Sequence, residues 1–216
     1  MSNRSHVHSY GPVLAMILLL IAFQLAAPEA EWARLTSVVL QGATILAIGN
    51  AAGAEGPRAR RIAAWVVVMI GASVALFLFG SLGRTPALIL LFGLAVGGPV
   101  VIGTHLYADV RAQRRVTVHS MFGVLCIYLL LGLLFASLFG LVHELGDDAF
   151  FAQTNRATNT DLIYFSFSTM TTTGYGDLTA ATSLGRALAV TEALVGQIYL
   201  VTVVALIVSN IGRARD

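Results

Sequence analysis

Apolar residues in this chain run in long blocks separated by short polar or charged breaks. Crossing the roughly 30 Å hydrocarbon layer of a bilayer takes about 20 mainly apolar residues in a helix. Six blocks approach that length: Gly11 to Ala27, stopped by Pro28, then Leu35 to Ala52, Ile62 to Leu82, Pro86 to Tyr107, Val118 to Val142 and Leu184 to Ile211. The pattern predicts an all-α membrane protein with six transmembrane helices. Between the last two blocks, Thr160 to Leu178 is shorter, more polar and flanked by charge. It is too short to cross, which predicts a re-entrant segment that enters and leaves on one side. Within it, Thr160 is the expected N-cap, Asp161 complements the first turn, and Leu162 to Thr171 reads as a short helix.

Composition agrees with a membrane environment. Of 216 residues, 57% are hydrophobic and 11% charged, with a mean hydropathy of +0.82; a soluble domain carries about 25% charged residues. No hydrophilic stretch is long enough to fold as a separate soluble domain. The single cysteine, Cys126, lies inside an apolar block, so packing is its expected role. The first block is readable as a signal peptide, but the spans that follow favour a retained helix.

The net charge of +2 comes from thirteen arginines against eleven acidic residues, with no lysine. Arg4, Arg58, Arg60, Arg61, Arg111, Arg114, Arg115, Arg213 and Arg215 all fall on one side of the six-span topology. The other side carries Glu29, Glu31, Glu144, Asp147, Asp148, Asp161 and Asp177, with Arg34, Arg84, Arg156 and Arg186 among them. Loops kept in the cytoplasm are enriched in Lys and Arg. Both termini are therefore expected inside a cell membrane, with the re-entrant segment entering from outside. The basic residues read as topology signals, and no nucleic-acid partner is expected. Abundant Ala, Gly and Arg without Lys suggests a bacterial, high-GC source, hence the inner membrane.

The re-entrant segment continues Thr169-Met170-Thr171-Thr172-Thr173-Gly174-Tyr175-Gly176-Asp177. This resembles the pore module of the potassium-channel family, whose usual motif is T-x-T-T-V/I-G-Y-G-D, except that Thr173 replaces Val or Ile. The composition suits cation selection, because rings of backbone carbonyls can replace an ion's water shell without a full negative charge in the path. Gly174 and Gly176 admit backbone dihedrals that most residues avoid. The resemblance implies K+ sites at the carbonyls of Thr172, Thr173, Gly174 and Tyr175, with Gly176 completing the filter and the Thr172 hydroxyl completing the innermost site. It also implies that Tyr175 points away from the ion and packs on Tyr164 and Phe165, while Asp177 anchors the outer mouth. The short helix would aim its partially negative C-terminus toward the axis.

In the sixth block, Gly185-Arg186 matches a pair often found at the start of the family's inner helix, and Gly196 lies at the spacing of its hinge glycine. Close helix packing is the other reading of Gly196. Gln197, Leu200, Val204 and Val208 form one helical stripe that could line a cavity, with Val204 and Val208 as gate candidates. Glu192 is the only acidic residue of that block, and intramembrane carboxylates are costly enough to suggest function. It is expected either to hydrogen-bond hydroxyls behind the filter, such as Ser168 or Thr169, or to snorkel.

The third and fourth blocks contain no charge, so a conventional voltage sensor is absent. Residues 1–115 read as a four-helix membrane bundle and 116–216 as the pore module, to which the resemblance is confined. Gly93, Gly97, Gly98 and Gly103 in the fourth block suggest tight packing. One pore loop supplies a quarter of a filter, so a homotetramer in lipid is implied. No nucleophile, metal cluster or phosphate loop supports catalysis, and no cofactor is expected beyond permeant K+. The alternatives are a weakly selective cation pore, raised by Thr173, and a nonconducting membrane subunit.

Overall fold

The computed structural model describes residues 10–51, 56–80, 83–113 and 118–205. The described residues form seven α-helices: α1 Gly11–Ala26, α2 Glu31–Ala51, α3 Gly56–Leu78, α4 Arg84–Gln113, α5 Val118–Leu145, α6 Asn159–Met170 and α7 Ser183–Ile198, the last continued by a π-helical stretch Tyr199–Val204. Within α2, α3, α4, α5 and the α7 continuation lie the five segments long and apolar enough to span a membrane. The sixth expected span, α1, has 16 residues. At 1.5 Å per residue it is about 24 Å long, because Pro28 and the polar residues after it leave the apolar block no room to extend.

The helices meet in three buried zones. Val13, Ile17 and Leu20 of α1 pack with Ile48, Ile102, Cys126, Leu130 and Leu133, joining α1, α2, α4 and α5. Val38 and Ile45 of α2 pack with Val66 of α3 and with Leu91 and Leu94 of α4. The third zone is aromatic. Phe135, Phe139, Phe150, Phe151 and Phe165 gather where α5, the loop after it and α6 meet. Phe139 has Phe150 at 5.2 Å and Phe165 at 5.3 Å between ring centroids, and Phe151 meets Phe165 edge-on at 5.2 Å.

In lipid, small residues let helices approach closely, because tails compete with apolar side chains for contact. The glycines of α4 divide on this point. A Cβ on Gly97 would lie 2.4 Å from the Trp65 ring, and one on Gly98 2.8 Å from Leu130. Gly93 has only ordinary contact and Gly103 faces open space. Buried Gln41 adds an interhelical tie, donating to the Leu91 carbonyl at 3.2 Å. Exposed Val67, Val68 and Leu78 give α3 an apolar outer face.

Three of the four arginines on the acidic side are engaged locally. Arg84 pairs with Glu144 at 3.2 Å, Arg34 approaches Glu31 at 4.0 Å, and Arg186 donates to the Ala180 carbonyl at 3.0 Å. Those residues answer to structure rather than to topology.

Truncating a ring at the centre of the aromatic zone leaves a cavity that rigid helices cannot close. Phe139→Ala is expected to cost about 3 kcal/mol or more, read as a lowered thermal midpoint in detergent, while Leu19→Ala on the exposed face of α1 leaves the midpoint in place.

Candidate functional site

The site is built around α6, which begins two residues earlier than the sequence pattern predicts. Its N-cap is Thr158, not Thr160. The Thr158 hydroxyl accepts from the Asp161 N–H at 3.1 Å, and the Asp161 carboxylate accepts from the Thr158 N–H at 2.9 Å, closing a capping box. Ser166, Leu162, Ile163, Phe165 and Met170 form the buried side of the helix.

Beyond Met170 the chain leaves the helix but stays tied to it. The N–H of Thr171 donates to the Phe167 carbonyl, that of Thr172 to Thr169, and those of Thr173 and Gly174 both to Ser168, at 2.9 to 3.1 Å. Thr172, Gly174 and Gly176 have φ of +57°, +51° and +83°, alternating with Thr173 and Tyr175. Alternation of backbone hand turns successive peptide groups the same way. The amides are thus drawn back to the helix end. Among the described residues, no donor reaches the carbonyls of Thr172, Thr173, Gly174 or Tyr175. All seven residues from Thr171 to Asp177 are exposed in the single chain.

Side chains brace this segment. Tyr175 stacks on Tyr164 with centroids 5.9 Å apart and planes 9° apart, and the Tyr164 hydroxyl donates to Asp177 Oδ2 at 2.8 Å. Desolvation and that hydrogen bond push the Tyr164 phenol up to about 12, so it remains a donor at neutral pH. Phe165 takes no part in the stack; it lies in the aromatic zone. Thr173 Oγ1 is 2.9 Å from Thr171 Oγ1, whose own proton goes to the Phe167 carbonyl at 2.7 Å. The Thr173 hydroxyl is therefore the donor of that pair. Where the segment ends, Phe151 pairs with Ala180, and Gln153 bonds both the N–H and the hydroxyl of Thr179.

Behind α6 lies a second layer. Glu192 is fully buried, with Oε1 2.5 Å from Ser166 Oγ, and Ser166 Oγ is 2.7 Å from the Gly132 carbonyl of α5. Glu192 thus reaches Ser166, not Ser168 or Thr169, and it does not snorkel. Ser168 supports the segment through its backbone oxygen instead. One hydroxyl proton cannot serve two acceptors, so both contacts are hydrogen bonds only when the Glu192 carboxyl supplies the second proton. Nearby, Tyr128 of α5 donates to the Met170 carbonyl at 3.3 Å and stacks on Tyr199 at 6.0 Å.

Gly196 is buried, and a Cβ there would lie 2.6 Å from both Cγ and the backbone oxygen of Met170. Close packing is the role with geometry behind it. The stripe expected below it is broken. Gln197 is exposed, but Val204 packs toward Val124 of α5, and Ile198 and Val201 are exposed in the single chain beside it. The π-helical turn supplies the reason, since its wider winding shifts the phase after Tyr199. Val208 lies outside the described residues.

Thr172 was not foreseen as a left-handed position; a β-branched residue there is strained. Ser166 and Tyr128 were also missed. A helical-face count over α6 places Ser166 with Leu162 and Met170 and would have found it.

Residues 123–213 match a protein-family model described as an ion channel. That stretch, from α5 through α7, is similar to an ion-channel domain. No curated protein matches the chain.

Two substitutions probe the second layer. Gly196→Ala pushes against backbone that cannot give way, so the thermal midpoint in detergent should fall, whereas a pure hinge would lose bending and keep its stability. Glu192→Gln keeps a donor toward Ser166 and should preserve that midpoint. Glu192→Ala removes the partner of Ser166 on α7, leaving Ser166 only its bond to the Gly132 carbonyl, and costs about 1–3 kcal/mol.

Proposed function

We propose that the chain is one subunit of a potassium-selective channel that passes K+ passively through a filter made by Thr172, Thr173, Gly174, Tyr175 and Gly176 of four copies. The observation that carries this reading is the division of the backbone beyond Met170. Its amides from Thr171 to Gly174 are donated to α6, and among the described residues no donor reaches its carbonyls from Thr172 to Tyr175. Carbonyl rings of this kind replace a cation's hydration shell. The C-terminus of α6 adds partial negative charge at the inner end.

The match of residues 123–213 to an ion-channel family supports conduction. Selectivity for potassium is supported by the braces that set the segment's width: the Tyr164–Tyr175 stack, the Tyr164–Asp177 bond and the Thr171–Thr173 hydroxyl pair. The last bears on the Thr in place of Val or Ile. Its hydroxyl is already committed to Thr171, which argues against a weakly selective pore. A single chain contributes one wall of such a path, so a homotetramer in the lipid of a cell membrane follows, with both termini cytoplasmic on the arginine distribution. Uncharged third and fourth spans leave the membrane field little to act on, so gating is not of the conventional voltage-driven kind.

Reconstituted protein should pass K+ and not Na+ in proteoliposomes, and Gly176→Asp should abolish the flux. Equal Na+ and K+ flux would replace the selective reading with the weakly selective one, and no flux from the wild-type chain would favour a nonconducting subunit.

A further inference from the structure

The first four helices carry no conduction chemistry, yet they grip the pore helix where it begins. The last carbonyls of a helix have no intrahelical donor. Two of those at the end of α1 are satisfied from α6: Asn159 Nδ2 donates to the Gln24 carbonyl at 3.2 Å, and the Thr160 hydroxyl donates to the Leu25 carbonyl at 3.1 Å. The negative end of one helix dipole thus meets the positive end of another. Glu29, on the short loop between α1 and α2, completes the junction. Its Oε1 accepts from the Asn159 N–H at 2.5 Å. The capping box of α6 uses the amides of Thr158 and Asp161 and leaves that of Asn159 over.

A second grip comes from the start of α4. Arg84 donates to the Ala157 carbonyl, one residue before the N-cap, and is held by Glu144. Between the two grips lies a cavity of about 30 Å³, lined by Glu29, Arg34, Arg84, Asn159 and Leu162 among others. Residues 157–160 are therefore fixed from two sides by the first half of the chain.

We infer that the N-terminal helices serve as a positioning frame for the pore helix, with Glu29 as the residue that holds its first turn against them. The plain alternative is an exposed, solvated loop carboxylate. Against it stands a charge-assisted bond to a backbone amide 130 residues away, in register with two side-chain bonds to the neighbouring carbonyls. A helix of 12 residues is a rod about 18 Å long. Its far end holds the Thr171–Gly174 amides through the carbonyls of Phe167, Ser168 and Thr169, so a change of tilt at Asn159 reaches the proposed filter. That last step rests on the conduction reading; the clamp itself does not.

The test is hydrogen exchange by mass spectrometry on the full chain in proteoliposomes, with K+ and Na+ flux on the same preparations. Glu29 is exposed on a loop, so its variants should fold. Glu29→Ala should speed exchange about fivefold in peptides covering 158–162, as for a lost helix cap, speed it also in peptides covering 171–177, and raise the Na+ to K+ flux ratio. Glu29→Gln keeps an accepting oxygen and should lie between Ala and wild type. Faster exchange at 158–162 with none at 171–177 would reduce Glu29 to a local cap and overturn the inference, as would no change at either place. A wild-type chain that passed no K+ while both peptides responded would sink the conduction reading and leave the clamp standing.

Discussion

Irregular backbone at membrane depth has no bulk water to satisfy it, and each unpaired peptide group there costs several kcal/mol. The segment from Thr171 to Asp177 is irregular and lies in sequence between two helices long enough to cross a membrane, so its polar groups need partners from protein, water or a bound ligand. The chain meets half of this demand. Four consecutive amides fold back onto three carbonyls of α6. Among the described residues the carbonyls from Thr172 to Tyr175 have no donor, which leaves them open to a hydrogen-bond donor or a coordinated cation.

This dependence makes α6 the reference for everything around it. Its apolar side enters the aromatic zone through Leu162 and Phe165, its Ser166 reaches both α5 and α7, and Met170 is held by the Tyr128 hydroxyl on one side and pressed by Gly196 on the other. These contacts differ in kind. Ring packing buries the most apolar area and is tolerant of small rotations, whereas each hydrogen bond is worth about 1 kcal/mol and fixes an angle. The rings supply the stability of the zone, and the bonds from Ser166 and Tyr128 set the register of α6 within it.

Five of the six expected spans and the short helix followed by irregular backbone were legible in the sequence because each rests on a local signal: block length for the spans, a polar break and a glycine-containing motif for the segment. What failed was mostly phase. Tyr164 and Phe165 are adjacent and so about 100° apart on a helix; only one can face Tyr175, and the other is left for the core. Ser166 and Ser168 differ in the same way, which is why Glu192 finds the first. The cap moved to Thr158 because residues 158–161 are all cap formers, and the reciprocal Thr158–Asp161 pairing decided among them. No local signal marks the π-helical turn at Tyr199–Val204, over which Tyr199 stacks on Tyr128 and Val204 packs toward Val124. Contacts 130 residues apart, such as Glu29 with Asn159, leave no periodic trace at all.

The left-handed Thr172 shows which effect governs the shape of the segment. A β-branched residue at φ +57° costs on the order of 1–3 kcal/mol, and a glycine there would relieve it but would also remove a hydroxyl. Strain of that size persists only where the surroundings over-determine the backbone. Here the amides of Thr172 and Thr173 are held on either side of the strained bond, the Thr173 hydroxyl is tied to Thr171, and the Tyr164–Asp177 bond closes the far end. At about 1 kcal/mol each, these four bonds are enough to offset the strain. Most of them originate on α6. The conformation of the segment therefore depends on where α6 stands as well as on its own glycines, and any contact that moves α6 acts on it.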